Sequence, residues 1–286
     1  MATAPAPPSE PSSTSADHAS LALSTTWQPD FATARAEFRL LEKAAARLGE
    51  LGDFPPVALL DRALCGPRVV NARGLRLRIV VDAPKPKRRR GARGPIDRTM
   101  LYDGRIHERA ELPTRERSWH DLFGALQWAT FPRSKARINA RQWAALERWI
   151  PEGATKLPSA RLREQDALAM LDEGGLVLLA TDAVYEAVEQ ASREADLESL
   201  AAAVRRAEAV AAPFGHALCE HLVASHAPVR AMSVVLRAGG ALPTDVAGLA
   251  ELVDAQLAAR LADPVFCAAP EPHAALELSS ALFASV

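Results

Sequence analysis

Cysteine is scarce in this chain and badly spaced for structural work. Cys65, Cys219 and Cys267 are the only three in 286 residues, and no two of them form a Cys-x-x-Cys pair. An odd, scattered set builds neither a disulfide framework nor a structural zinc site, so a reducing compartment, the cytoplasm, is the expectation. No apolar run approaches the roughly 18–20 residues of a membrane span, and the N-terminal stretch lacks the charged start and continuous apolar segment of a secretory signal. An excess of either charge is missing too. Lys and Arg number 34 against 35 Asp and Glu, so binding to nucleic acid or an anionic membrane would need a local patch. The chain has no Gly-x-Gly-x-x-Gly, phosphate-loop lysine motif, His-Glu-x-x-His or Gly-x-Ser-x-Gly. The common nucleotide-dependent and serine-hydrolase chemistries therefore lack support.

Hydrophobic residues make up 49% of the chain and charged ones 24%, enough apolar material for a core. It is unevenly spread. Residues 1–26 are dominated by Ala, Pro, Ser and Thr and predict a disordered tail, because they bury too little to offset the cost of ordering. A single globular domain is expected over 27–286. Within it Asp30 can cap a helix carrying Phe31, Ala34, Phe38, Leu41 and Leu48, and Pro55-Pro56 opens a short one through Leu64. Arg68–Val81 reads as a hairpin turning at Asn71–Gly74. Ala167–Leu171 and Leu176–Ala180 read as a second, turning at Asp172-Glu173-Gly174-Gly175. Further helices are expected at Trp119–Thr130, Pro132–Ile150, 183–192, 197–210, 214–224 and Val246–Leu261, with a strand at Ala231–Leu236. The fold class that follows is α+β, a helix-rich single domain packed on a small antiparallel sheet built from hairpins.

A basic insertion at 84–97 interrupts this pattern. Six cations, including Lys87, Arg88, Arg89 and Arg90, stand among prolines and glycines, which makes the segment an exposed loop. It could engage phosphates, although no aromatic residue interleaves it and no reader motif accompanies it. A solvated insertion is the simpler reading.

From residue 119 the residues take on a pattern of their own. Trp119-His120-Asp121-Leu122-Phe123, Ala125-Leu126, Trp128, Phe131-Pro132, Lys135 and Asn139 resemble the signature of an uncharacterised bacterial family, domain of unknown function 3025. Tyr102, Arg105-Ile106 and Arg115 upstream fit it, as do Asp166-Ala167-Leu168, Asp172-Glu173 and Gly215-His216-Ala217-Leu218 with Glu220 downstream. The resemblance covers roughly 100–238. It implies a fold boundary and a set of residues, and no reaction. The chain departs from it at Gly124, where the family has Asn, and after Asp263, where a Gly-Pro-Gly-Trp-like segment is lacking.

Several polar residues sit on helices that otherwise read as buried. Leu122–Phe131 holds no charge, so that helix should be buried on every side. His120 at its start is a base, a ligand or a hydrogen-bonded core histidine. Asp121, three residues after Ser118, resembles a capping group and is also a site candidate. Lys135 and Asn139 extend the apolar stripe of Trp143, Leu146 and Ile150. Lys135 either reaches to water or faces a pocket as a placed cation. His216 and Glu220, four apart, are metal ligands, a base with its orienting carboxylate, or an ordinary helical pair. Asp172 belongs to a turn or to a metal site. The leading expectation is an enzyme, a metal-assisted hydrolase with a pocket of His120, Asp121, Lys135, Asn139, His216 and Glu220. A divalent metal would be its candidate cofactor, bound through Asp172, His216 and Glu220. A nucleic-acid accessory factor using Lys87–Arg90 and the Arg133, Arg137, Arg141, Arg148 face is one alternative. A structural or interaction protein is the other.

Overall fold

The computed structural model describes residues 26–82, 94–224, 229–270 and 275–283. The expected N-terminal tail, apart from Thr26, lies outside the described residues, and so do residues 84–93 of the basic insertion with Lys87, Arg88, Arg89 and Arg90.

The chain enters through short 3-10 turns and α1 (Glu42–Ala45), then α2 (Val57–Leu64). The long first helix expected from Asp30 is absent, yet Phe31, Phe38, Leu41 and Leu48 are still buried. Aromatic packing holds this segment: Trp27 stacks on Trp119 at 5.1 Å, and Phe31 meets Phe123 edge-on at 5.5 Å. Next come β1 (Arg78–Val81), α3 (Tyr102–Arg109) and β2 (Glu111–Thr114). The expected first hairpin shrinks to one antiparallel bridge, Val70 to Arg76. β1 pairs instead in parallel with β2.

Three helices follow, α4 (Trp119–Thr130), α5 (Pro132–Trp149) and α6 (Arg163–Gly174). The first bears out its composition, being buried from Leu122 to Trp128. α6 replaces the first half of the expected second hairpin. Ala, Leu, Met and Glu favour helix, and Gln165 anchors the helix start by accepting the Leu162 N–H at 3.0 Å. Buried Ala167, Leu168 and Leu171 suit one helix face as well as they suit a strand.

The rest of the chain builds the main sheet, in the order β3 (Gly175–Ala180), α7 (Tyr185–Arg193), α8 (Leu197–Arg205), β4 (Ala209–Pro213), α9 (His216–Ala224), β5 (Val229–Arg237), α10 (Val246–Leu261) and β6 (Leu276–Leu278). Its strand order is β4-β3-β5-β6. β3 runs antiparallel to β4 and parallel to β5, and β5 antiparallel to β6. The α+β class therefore holds, but the sheet is mixed and its strands are joined through helices. β3, Gly-Leu-Val-Leu-Leu-Ala, is buried along its whole length, as an unbroken apolar run between two partner strands should be. Residues 209 and 210, expected at the end of a helix, begin β4. Among the described residues no helix is long and apolar enough to cross a membrane.

The start of α5 is held from another helix. Pro132 has no N–H to offer, and Phe131 before it cannot cap. Asp254 of α10, buried, accepts the Ser134 N–H at 2.8 Å and the Arg133 N–H at 3.1 Å, while Ser134 Oγ donates to the Asp254 carbonyl. Asp254→Ala should lower the unfolding free energy in urea by about 2 kcal/mol, the upper range for a lost cap, because two backbone donors, one buried and one partly buried, lose their acceptor. A loss below about 0.5 kcal/mol, typical of an ordinary surface change, would show that the cap is not needed.

Candidate active site

Glycine decides how two of the key side chains meet. A Cβ on Gly215 would lie 2.3 Å from the Glu173 carbonyl oxygen, so only glycine lets the start of α9 approach the end of α6 this closely. The N–H groups of Phe214 and Gly215 both donate to the Gly175 carbonyl. The approach sets His216 beside Glu173, with Nε2 3.1 Å from Oε2. A second contact of this kind seats α3 on α5. A Cβ on Gly104 would fall 2.1 Å from the Arg98 carbonyl oxygen and 2.8 Å from Trp143, and the neighbouring Asp103 thereby reaches Asn139.

α4 brings in the third group. Ser118 caps it by accepting the Asp121 N–H at 3.2 Å, and His120 in the first turn points its Nε2 to within 3.9 Å of Glu173 Oε2. The His120 and His216 rings meet edge-on, 4.3 Å between centroids. Behind His120, Nδ1 lies 3.1 Å from Glu220 Oε2. The helical pair expected between His216 and Glu220 is thus not made: Glu220 serves the histidine of a neighbouring helix, since α4 and α9 pack together.

Lys135 is buried, and its Nζ sits 2.5 Å from Asp172 Oδ1 and 5.7 Å from the centre of the Phe214 ring. It does not reach to water. Asn139, also buried, donates through Nδ2 to the Asp103 carbonyl at 3.1 Å and to the Asp103 carboxylate at 3.5 Å. Asp121 is otherwise occupied. Its carboxylate accepts from the Arg115 backbone N–H at 2.6 Å and from the guanidinium at 2.9 and 3.0 Å. That ties the β2–α4 turn and leaves no free base there. Asp172 lies in the last turn of α6 rather than in a hairpin turn, and its neighbour Glu173 is the residue facing both imidazoles.

These side chains share a cleft of about 540 Å³, within the size range of small-molecule sites. His120, Asp121, Lys135, Asn139, Asp172, Glu173 and His216 all line it, together with Tyr102, Asp103 and Arg161. Of these last three, Asp103 and Arg161 carry no sequence signal that marks them as site residues.

The electrostatics separate the two histidines. Burial, reinforced by the Lys135 ammonium, pushes His216 down to about 4, so its ring is neutral at neutral pH. The Glu220 hydrogen bond raises His120, with help from the Glu173 charge and against the effect of burial. Burial raises Glu173, and burial with the nearby Asp172 charge lifts Asp103 to about 6. Burial is the largest single influence on Asp172 and would raise it, but the Lys135 charge and hydrogen bond together with the two neighbouring histidines outweigh it, and the carboxyl is held low.

One imidazole nitrogen from each of His120 and His216 and one Glu173 oxygen lie within 4.8 Å of one another. A tetrahedral ion with ligands at about 2.0–2.1 Å spaces its ligand atoms roughly 3.3 Å apart. The two contacts to Glu173, 3.1 and 3.9 Å, bracket that spacing. A carboxylate behind the outer nitrogen of a histidine is the usual partner of a metal-bound imidazole, and Glu220 stands there. Of the metal set expected from sequence, Asp172, His216 and Glu220, the first lies 3.8 Å from His216 Nδ1 through Oδ2 and the last faces His120. Lys135 holds Asp172, Glu220 backs His120, and Glu173 with His120 completes the set around His216.

Of the arginine face of α5, Arg137 is exposed and the other three form ion pairs. Arg133 pairs with Glu251, and Arg141 and Arg148 both pair with Glu164. Arg141 also donates to the Leu261, Asp263 and Phe266 carbonyls. No curated protein and no solved structure matches the chain. The family model described as "Protein of unknown function (DUF3025)" matches residues 92–279, a span that takes in every site residue named above, and the chain belongs to that family.

Proposed function

We propose that the protein is a metal-dependent hydrolase whose His120, Glu173 and His216 hold one divalent cation at the floor of the cleft. The convergence of these three ligand atoms, with Glu220 behind His120, carries the reading. Two neutral imidazoles and one carboxylate are a donor set suited to zinc or a similar ion, and three protein ligands leave a position open to the cleft. Such an ion lowers the pKa of a bound water to about 7 and polarises a carbonyl or phosphoryl oxygen. The chain's own groups set up that chemistry. Glu220 fixes the His120 ring through Nδ1 and leaves Nε2 free to bind. The low pKa of His216 keeps its lone pair available at neutral pH. Lys135 offsets the charge of Asp172, so that a second carboxylate can stand next to Glu173. Buried Cys65 and Cys219, neither in a disulfide, fit a reducing, cytoplasmic setting.

Metal analysis of the purified protein tests the reading. After incubation with zinc and dialysis, about one ion per chain should remain, and none in His216→Ala. Affinity should also climb with pH. His120 is protonated up to a higher pH than usual, binding must displace that proton, and the competition fades as pH rises through the His120 titration. Absence of tight binding, or affinity that improves on acidification, rejects the metal.

A further inference from the structure

The wall of the cleft formed by α3 and α5 sets two hydrogen-bond acceptors side by side, Asn139 Oδ1 and the Asp103 carboxylate. Asn139 is only 3% exposed, and while its Nδ2 is committed to Asp103, its Oδ1 is buried without a partner. A buried amide oxygen left unpaired is costly, so something absent from the protein alone should donate to it. Beside it is the Asp103 carboxylate, whose one hydrogen bond among the described residues is the long contact from Asn139. The cations of the cleft act on Asp103 only through space, Arg161 and then Lys135, and neither forms an ion pair or hydrogen bond with it among the described residues. Lys135 is bound to Asp172 and Arg115 to Asp121. Arg161 is exposed and makes no ion pair among the described residues. Burial and the neighbouring Asp172 charge hold Asp103 up at about 6, a strain that a bound positive charge would relieve.

The cleft also has room for more than a water molecule. Gly124 lies one helical turn after His120 and lines the same cavity, and no atom comes within 4 Å of where its Cβ would stand. A buried helix interior with glycine gives up some stability relative to alanine. Here the open space belongs to the cleft that His120, Asp103 and Asn139 also line.

We propose that the substrate carries a primary ammonium group remote from the bond that is cleaved, and that Asn139 Oδ1 and the Asp103 carboxylate receive it. This rests on the hydrolase reading, which supplies the fixed point, the metal, from which the substrate extends. Asn139 and Asp103 would then set specificity, and the metal ligands the chemistry.

Linear hydroxamates separate the two claims, because the hydroxamate end chelates the metal and the far end can be varied. The probes are the β-alanine, γ-aminobutyric and ε-aminocaproic hydroxamates, each beside a methyl-ended and a carboxylate-ended compound of matched length. They would be titrated calorimetrically into the zinc-loaded full chain. At the best length the amine should bind about tenfold tighter than its methyl counterpart, the scale of one charge-assisted hydrogen bond. Asp103→Asn and Asn139→Leu should each cut that advantage to about threefold or less. Both should leave the methyl-ended affinity within about twofold, which shows that fold and metal are intact. Metal-dependent binding of the methyl-ended probe with no gain from the amine at any length, or with the carboxylate-ended probe tightest, overturns the ammonium site and leaves the hydrolase reading standing. Failure of every probe to bind in a zinc-dependent manner overturns both.

Discussion

Glu173→Gln should abolish tight metal binding, weakening affinity for zinc by about a hundredfold or more, whereas Glu220→Gln should cost only about 10–100-fold. Both substitutions keep the shape of the side chain and remove its charge, so the difference reports position. Glu173 Oε2 lies between the two imidazoles, 3.1 Å from His216 Nε2 and 3.9 Å from His120 Nε2. It is a ligand in the assignment above. Glu220 meets the far nitrogen of His120, at 3.1 Å, where it orients the ring and strengthens it as a donor. Competition against a chelator of known affinity measures both variants, with thermal unfolding of the metal-free proteins as a control for folding. If Glu220→Gln proved the more damaging of the two, the ligand assignment would have to be exchanged.

The second large effect should come from Lys135→Met. The ammonium is 4% exposed and its Asp172 partner 20%, so removing it strands a carboxylate in a largely buried place. Breaking such a pair from one side costs about 3–5 kcal/mol, against roughly 0–1 kcal/mol for an exposed pair. Replacing both partners, as in Lys135→Met with Asp172→Leu, leaves no orphaned charge, and the loss should be well below the sum of the single losses. Urea unfolding of the four proteins measures the coupling. A second signature is spectroscopic. The Lys135 charge helps hold His216 down at about 4, so in Lys135→Met the His216 titration followed by NMR should move upward. A single-variant loss below about 1 kcal/mol, with His216 unmoved, would place Lys135 effectively in solvent.

Much of the helical half of the fold is written locally. The uncharged run Leu122–Phe131 can only be a buried helix, since no face of it suits water, and α4 is buried as that composition demands. The polar residues standing out against such apolar surroundings, His120, Lys135, Asn139 and His216, are conspicuous for the same reason. A polar group on a core helix must find a partner, and the four do line one cleft.

Pairing was beyond the sequence, because it depends on residues far apart along the chain. Ala167–Leu171 has apolar spacing that fits a strand or a helix equally, and packing of α6 on α5 and α9 chose the helix. That choice turned Asp172 towards Lys135 and Glu173 towards the histidines, so the carboxylate facing both imidazoles is the glutamate next to the aspartate that the turn pattern favoured. Likewise Glu220, one turn after His216, belongs to His120 a hundred residues earlier. The sheet is mixed because its strands are joined through helices, which no local alternation encodes. Sequence determined which side chains had to be satisfied inside the protein. Only the tertiary structure decided by whom, through contacts as close as the one Gly215 permits at Glu173.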